Sequence, residues 1–369
     1  LKELLMAEND EIPLRSVYFY LTPECNLACR HCWIAPRFRN VSTATDYLPL
    51  PLFESVIEQA IPLGLVGIKL TGGEPLLHPE ILAILEIARE RDLEVSVETN
   101  GILVTPEIAG SLARCKNLSI SVSLDGVDAE THEWVRGVRG SFEAACRGFR
   151  TLVEAGIRPQ VIMSLFRRNA DQVERLIAMA EEMGAGSVKF NIVQPSARGE
   201  QVYRDGEGLE IGEVLSIGDW VTKTLANEHG IRLFFSVPAA FKPMNTLFGE
   251  GGCGCGTCGI QTIIGVLGDG SYALCGIGET VPEMVFGHVA TDRLETVWRS
   301  HPVLREIRDG LPRRLTGVCR SCVFRNHCLG NCLAQNYTQT GDLWSPFWLC
   351  SRAHEAGLFP EERLIERAD

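Results

Sequence analysis

The stretch VYFYLTPECNLACRHC, residues 17–32, decides how this chain is read. It opens as a short apolar run over 17–21 and ends in a loop holding Cys25, Cys29 and Cys32, with gaps of three and two residues. Three thiolates do not complete a tetrahedral zinc site. They also fall one short of the four irons of a cubane, so a [4Fe–4S] cluster held there keeps one iron open to an exogenous ligand. On spacing alone, a zinc ion borrowing His31 as its fourth ligand competes with that reading.

Outward from this loop the chain alternates strand-like and helix-like segments. Residues 50–63 have helical spacing and lead through Gly64 into a strand over 66–70. Residues 80–89 read as a helix, 93–97 as a strand, and 118–124 as a strand ending in Asp125-Gly126. Phe142, Ala145, Cys146, Phe149, Leu152 and Val153 recur at three- and four-residue spacing, which predicts an amphipathic helix over 141–155. A strand over 159–166 follows. Asn169 is expected to cap the next helix. Val173, Leu176, Ile177, Ala180 and Met183 form that helix's apolar face, and Gly184 and Gly186 end it before a strand over 187–193. About six strand–helix units imply a parallel sheet, open or partly closed as a barrel, with ligands at the C-terminal strand ends. The cysteine loop, 71–75, 98–101, 123–126 and 194–195 all fall there and converge on one face. Past Gly206 the alternation decays through a helical stretch at 211–227 and a strand-like 231–237. From Gly249 glycine and cysteine dominate, so this segment is expected to have little core of its own and to depend on metal for folding.

The bulk numbers exclude several classes. With 369 residues and 45% hydrophobic content the chain can bury a large α/β core. Its net charge of −12, with no basic stripe, argues against nucleic-acid binding. No run of eighteen apolar residues suggests a membrane span, and residues 1–10 lack the apolar core of a secretory signal. Of fourteen cysteines, three lie at 25–32 and nine between Cys253 and Cys350, leaving Cys115 and Cys146 as core residues. Disulfides seldom crowd at such intervals, whereas metal clusters require it. A reducing, cytoplasmic setting is therefore expected.

The Cys25–Cys29–Cys32 pattern matches the CxxxCxxC signature of the radical S-adenosylmethionine (SAM) superfamily. The resemblance implies that the open iron chelates the amino and carboxylate groups of SAM, and that one electron then releases a 5′-deoxyadenosyl radical. Thr71-Gly72-Gly73-Glu74-Pro75 resembles the family's motif for the methionyl amine; its glycines are expected to let backbone approach the ligand, and Glu74 to receive the ammonium. Ser123 and Arg136 are the expected ribose and carboxylate contacts, ahead of Asp125, and His31 the residue beside adenine. Thr99 and Asn100 are weaker candidates.

At the other end, Cys319, Cys322, Cys328, Cys332 and Cys350 follow CxxC-x5-C-x3-C plus a distant cysteine, with Cys258 and a GxxxxC segment ending at Cys275 upstream. Together these resemble the SPASM domain, which holds two auxiliary [4Fe–4S] clusters. The family pattern implies Cys319, Cys322, Cys328 and Cys350 around the outer cluster and Cys258, Cys275 and Cys332 around the inner one, with Cys253 preferred to Cys255 as its fourth ligand. The implied fold is a partial (β/α)6 TIM-like barrel at 17–230 after an N-terminal segment at 1–16, with a bridging region and SPASM domain at 231–369. Three [4Fe–4S] clusters and SAM are the implied cofactors. The implied activity is oxidative modification of a peptide or protein side chain through C–S, C–C or C–O bond formation, with an electron donor such as flavodoxin or ferredoxin. A small-molecule maturase is the alternative. Sulfatase maturation is disfavoured, because Gly276 stands where that branch places an acid after the GxxxxC cysteine. The 24 residues before Cys25 offer no room for a leader-recognition domain, so a separate recognition protein, or recognition by the C-terminal region, is expected.

Overall fold

The computed structural model describes residues 12–248 and 258–365. Strands β1 (Ser16–Tyr20), β2 (Gly67–Thr71), β3 (Glu94–Thr99), β4 (Ser119–Ser123), β5 (Gln160–Leu165), β6 (Ser187–Ile192) and β7 (Arg232–Phe235) pair in chain order, all parallel. On the far side of β1 lies β8 (Ile263–Val266), also parallel, followed by antiparallel β9 (Ser271–Ala273) and β10 (Val285–His288). The ten-stranded sheet has β7 and β10 as its ends, so the barrel stays open. Six strand–helix units form its bulk, as expected, and the sheet continues without a break across residue 230.

Parallel strands are usually apolar on both faces because helices cover both. These are not. Val17, Ile68, Val95, Ile120, Val161 and Val188 are buried on one face. Their strand neighbours Tyr18, Lys69, Ser96, Ser121, Gln160 and Lys189 turn to the other. Helices α1 (Leu50–Ala60), α2 (Ile81–Glu90), α3 (Pro106–Ala113), α4 (Ala129–Arg136), α5 (Ser141–Glu154) and α6 (Val173–Glu182) supply the intervening connections. The polar face is left to bound a cavity.

The expected helices and strands sit within a few residues of their predicted bounds. Helix α3 is capped by Thr105 with Pro106 in its first turn; among the helices that the sequence pattern does not announce is α4, whose N-cap Asp128 Oδ1 accepts the Thr131 N–H at 2.8 Å. Asn169 does not cap α6. It sits in the 3-10 turn Arg167–Gln172, where Oδ1 accepts the Phe166 N–H (2.7 Å) and Nδ2 donates to the carbonyls of Asp125 and Ser164. The helical stretch at 211–227 is α8 (Ile211–Asp219) running into a wider-wound turn at Trp220–Leu225; α7 (Arg198–Arg204) precedes it.

The C-terminal third departs from expectation. Tyr272, Trp298, Leu304, Ile307, Trp344 and Leu349 are buried and belong to the same apolar core as the barrel. Trp298 Nε1 donates to the Ile12 carbonyl (2.9 Å) and the Leu294 N–H to Gln59 Oε1 (2.9 Å). Aromatic residues spaced without a simple period build this core, so apolar periodicity does not reveal it.

Candidate functional site

The cysteine loop is held by the first strand and by its neighbours. Cys25 and Cys29 are buried, and Cys32 is partly so. Gly73 N–H donates to the Thr22 carbonyl (2.8 Å) and Glu74 N–H to the Glu24 carbonyl (3.0 Å), zipping the GGEP turn onto the loop. A Cβ on Gly73 would stand 1.9 Å from the Glu24 carbonyl oxygen, and Gly72 has φ +121°. The two glycines therefore admit the backbone of the cysteine loop; the sequence reading had them admitting a ligand. Arg198, on α7, donates to the carbonyls of Cys29 (3.4 Å) and Pro36 (2.6 Å). Nothing in the local sequence marked it.

One cavity of about 500 Å³ opens over the polar face of the sheet. Cys25, Cys29, His31, Cys32, Gly72, Gly73, Glu74, Ser123 and Arg136 all line it, as do Thr99 and Asn100. Asp125 is buried behind it, its Oδ1 accepting the Ser164 N–H at 2.7 Å. Glu74 is buried and accepts from Thr99 Oγ1 (2.6 Å) and from the N–H groups of Asn100 (2.8 Å) and Leu76 (3.1 Å). Burial raises its pKa against these donors. A carboxylate offers about four acceptor positions, so room for an ammonium remains. Arg136 makes an ion-pair contact with Asp125 at 2.5 Å through an N–H not aimed at the oxygen, and its Nη1 donates toward Cys29 Sγ (3.5 Å). His31 contacts Ser164 Oγ through Nε2 (3.1 Å), packs edge-on to Phe166, and keeps a buried Nδ1 without a hydrogen-bond partner among the described residues. Burial lowers its pKa to about 4, so it stays neutral. Ser164 was not foreseen.

The C-terminal thiols fall into two groups. Cys258, Cys275 and Cys332 line the main cavity. Cys319, Cys322, Cys328 and Cys350 surround a second, small void beside Phe324 and Phe359. Burial, and then the neighbouring thiols of the same group, push these side chains up: Cys258 to about 12 next to Cys332, Cys328 to about 12 next to Cys319. Burial, then Glu74 and Cys29, push Cys25 up, and burial with Cys29 pushes Cys32 to about 11. Buried thiols that repel one another's ionised forms fit a metal centre, which takes up the charge as the protons leave. Among the described residues no three His, Cys, Asp or Glu side chains converge on one point as a lone ion requires. Cys253 and Cys255 lie outside the described residues. Cys115 and Cys146 are buried in the core on or beside helices, away from both groups.

Comparison with known proteins agrees. Residues 19–180 match the model of the radical SAM superfamily, and residues 255–323 match that of SPASM, an iron–sulfur cluster-binding domain. The chain is a radical SAM enzyme with a SPASM domain. It is 28% identical to the AdoMet-dependent heme synthase of Methanosarcina barkeri over 89% of this chain and 93% of the relative. It is also 28% identical to the mycofactocin maturase MftC of Mycobacterium tuberculosis, over 94% and 85%. Streptococcus suis SuiB bound to its precursor peptide SuiA shares the fold, with a TM-score of 0.72 at 17% identity over 95% of this chain and 78% of that one. A radical SAM domain entails a [4Fe–4S] cluster and SAM, and a SPASM domain entails bound iron–sulfur. No helix among the described residues is long and apolar enough to cross a membrane.

Proposed function

We propose that this enzyme oxidatively modifies a side chain of a peptide or protein, forming a C–S, C–C or C–O bond or removing hydrogen. The observation that carries the reading is the single cavity lined both by Cys25, Cys29 and Cys32 and by the C-terminal Cys258, Cys275 and Cys332. A substrate there lies between the site of radical generation and a route for the electron that an oxidation must remove.

In this reading Cys25, Cys29 and Cys32 hold a [4Fe–4S] cluster that, with SAM bound, supplies one-electron cleavage and a hydrogen-abstracting radical. Glu74 receives the methionyl ammonium, Arg136 the carboxylate, Ser123 the ribose, and neutral His31 the adenine edge. Cys258, Cys275, Cys332 and Cys253 hold an inner auxiliary cluster; Cys319, Cys322, Cys328 and Cys350 hold an outer one. The barrel then corresponds to 17–230 and the bridging and auxiliary-cluster region to 231–369. A flavodoxin- or ferredoxin-type donor, a separate leader-recognition protein and a cytoplasmic location complete the proposal.

The maturase relative and the peptide-bound SuiB fold support a peptide substrate. The heme synthase relative, equally similar, favours a second reading as a small-molecule maturase. Against sulfatase maturation, a Cβ on Gly276 would lie 2.3 Å from the Tyr20 ring and 2.9 Å from Trp33, so an acid has no space there. The test is anaerobic incubation of reduced, reconstituted enzyme with SAM and candidate precursor peptides. A two-hydrogen mass loss that disappears in the Cys25/Cys29/Cys32→Ala variant, together with 5′-deoxyadenosine, is expected. Release of 5′-deoxyadenosine from that variant would refute the assignment.

A further inference from the structure

The floor of the cavity carries charge that the SAM and cluster assignments leave unused. Lys69 on β2 and Glu98 on β3 form an ion pair at 2.6 Å, 22% and 42% exposed to the cavity they line, with the Lys69 ammonium 5.1 Å from the Tyr18 ring centre. Lys189 on β6 reaches the same floor, and its charged neighbours are Glu98, Lys69 and Lys242. Among the described residues it has no hydrogen-bond or ion-pair partner. Two ammoniums thus share one carboxylate, and Glu98 has already committed Oε1 to Lys69. Beside them Asn191 Oδ1 accepts from Ser236 Oγ (2.8 Å), which leaves its amide N–H groups for the cavity.

A half-buried ammonium without a counter-ion is costly, and the cost is relieved by an anion with good geometry. Lys69 is paired directly with Glu98, whereas Lys189 feels that same carboxylate only as a shared electrostatic neighbour. A substrate amine would meet two like charges here. We propose that Lys189, with Lys69 and the Asn191 amide, binds a carboxylate of the substrate and so fixes which carbon faces the radical site. Lys189 sits two residues before Asn191, which pairs in register with Ser164 beside His31. The carboxylate therefore anchors about 6–7 Å deeper than that layer. In a peptide it is either the C-terminus or an acidic side chain. The proposal rests on the reading of this cavity as the substrate chamber.

The test uses SAM-loaded, reconstituted wild-type protein and three probes: N-acetyl-Ala-Phe free acid, N-acetyl-Ala-Glu amide and N-acetyl-Ala-Phe amide. Reductive methylation followed by peptide mapping reads the reactivity of Lys189. At least one acid should protect Lys189 about fivefold more than the neutral amide, and which acid does so identifies the source of the carboxylate. Loss of one charge-assisted hydrogen bond in Lys189→Gln should weaken that acid about tenfold by saturation-transfer NMR, with Lys189→Arg retaining binding. Equal labelling with all three probes, or an acid preference unchanged in Lys189→Gln, overturns the proposal. Release of 5′-deoxyadenosine by the wild type is measured alongside. Release with flat labelling sinks only the carboxylate site, whereas its absence sinks the proposed function beneath it.

Discussion

Replacing Gly73 with alanine tests whether the GGEP turn exists to hold the cysteine loop. The new methyl would stand 1.9 Å from the carbonyl oxygen of Glu24 and 2.5 Å from its carbonyl carbon. Non-bonded heavy atoms settle at about 3.5 Å, so the two segments must separate by roughly 1.5 Å. Glu24 cannot yield easily. It is wholly buried, and its carboxylate accepts from Arg39 (2.8 Å), the Thr45 N–H (2.9 Å) and the Thr45 hydroxyl (3.0 Å). Separation breaks the Gly73–Thr22 and Glu74–Glu24 backbone bonds, worth about 1 kcal/mol each, on top of overpacking of about 1–3 kcal/mol. The combined cost of about 3–5 kcal/mol falls on the residue next to Cys25. Iron and sulfide analysis after anaerobic reconstitution should show about four fewer irons per chain than wild type, with SAM binding lost in equilibrium dialysis. Gly110→Ala is the control: its Cβ meets only the Arg114 guanidinium at 3.9 Å within α3, and about 0.5–1 kcal/mol of stabilisation is expected. A Gly73→Ala protein with wild-type iron and SAM affinity would refute the reasoning.

Three further outcomes follow from the geometry. Arg198→Ala removes both charged bonds that hold the loop at Cys29 and Pro36, and iron loss to a chelator should accelerate about tenfold, read by the decay of cluster absorbance. Replacing Cys115 and Cys146 together with alanine should leave iron per chain unchanged and cost about 1–2 kcal/mol per site in urea unfolding, since both are packing residues. Burial, reinforced by Asp269, raises Glu279 to about 7. With the folded pKa above the ordinary 4.5, the native state holds the proton longer than the unfolded chain does, so stability falls as pH rises from about 4.5 to 7. Glu279→Gln should therefore stabilise more at pH 8 than at pH 5.5, by about 1–2 kcal/mol in denaturant melts; an equal gain at both would disprove it.

The residue order alone fixed the chemistry of both ends, because thiols at two- and three-residue gaps have few uses besides metal. It also revealed the strand–helix rhythm, since apolar periodicity is a local property. Tertiary structure decided what depends on segments far apart in the chain. The barrel and the C-terminal third share one core through scattered aromatics such as Trp298 and Trp344, which no period announces. The glycines of the GGEP turn are set by the backbone of residues 22–24, some fifty positions earlier, and Arg198 grips a loop more than a hundred and sixty residues away. The Lys69, Glu98 and Lys189 cluster exists only because β2, β3 and β6 turn their polar faces into one chamber. A charge on a strand shows in sequence; its counter-charge, on another strand, shows only once the sheet has formed.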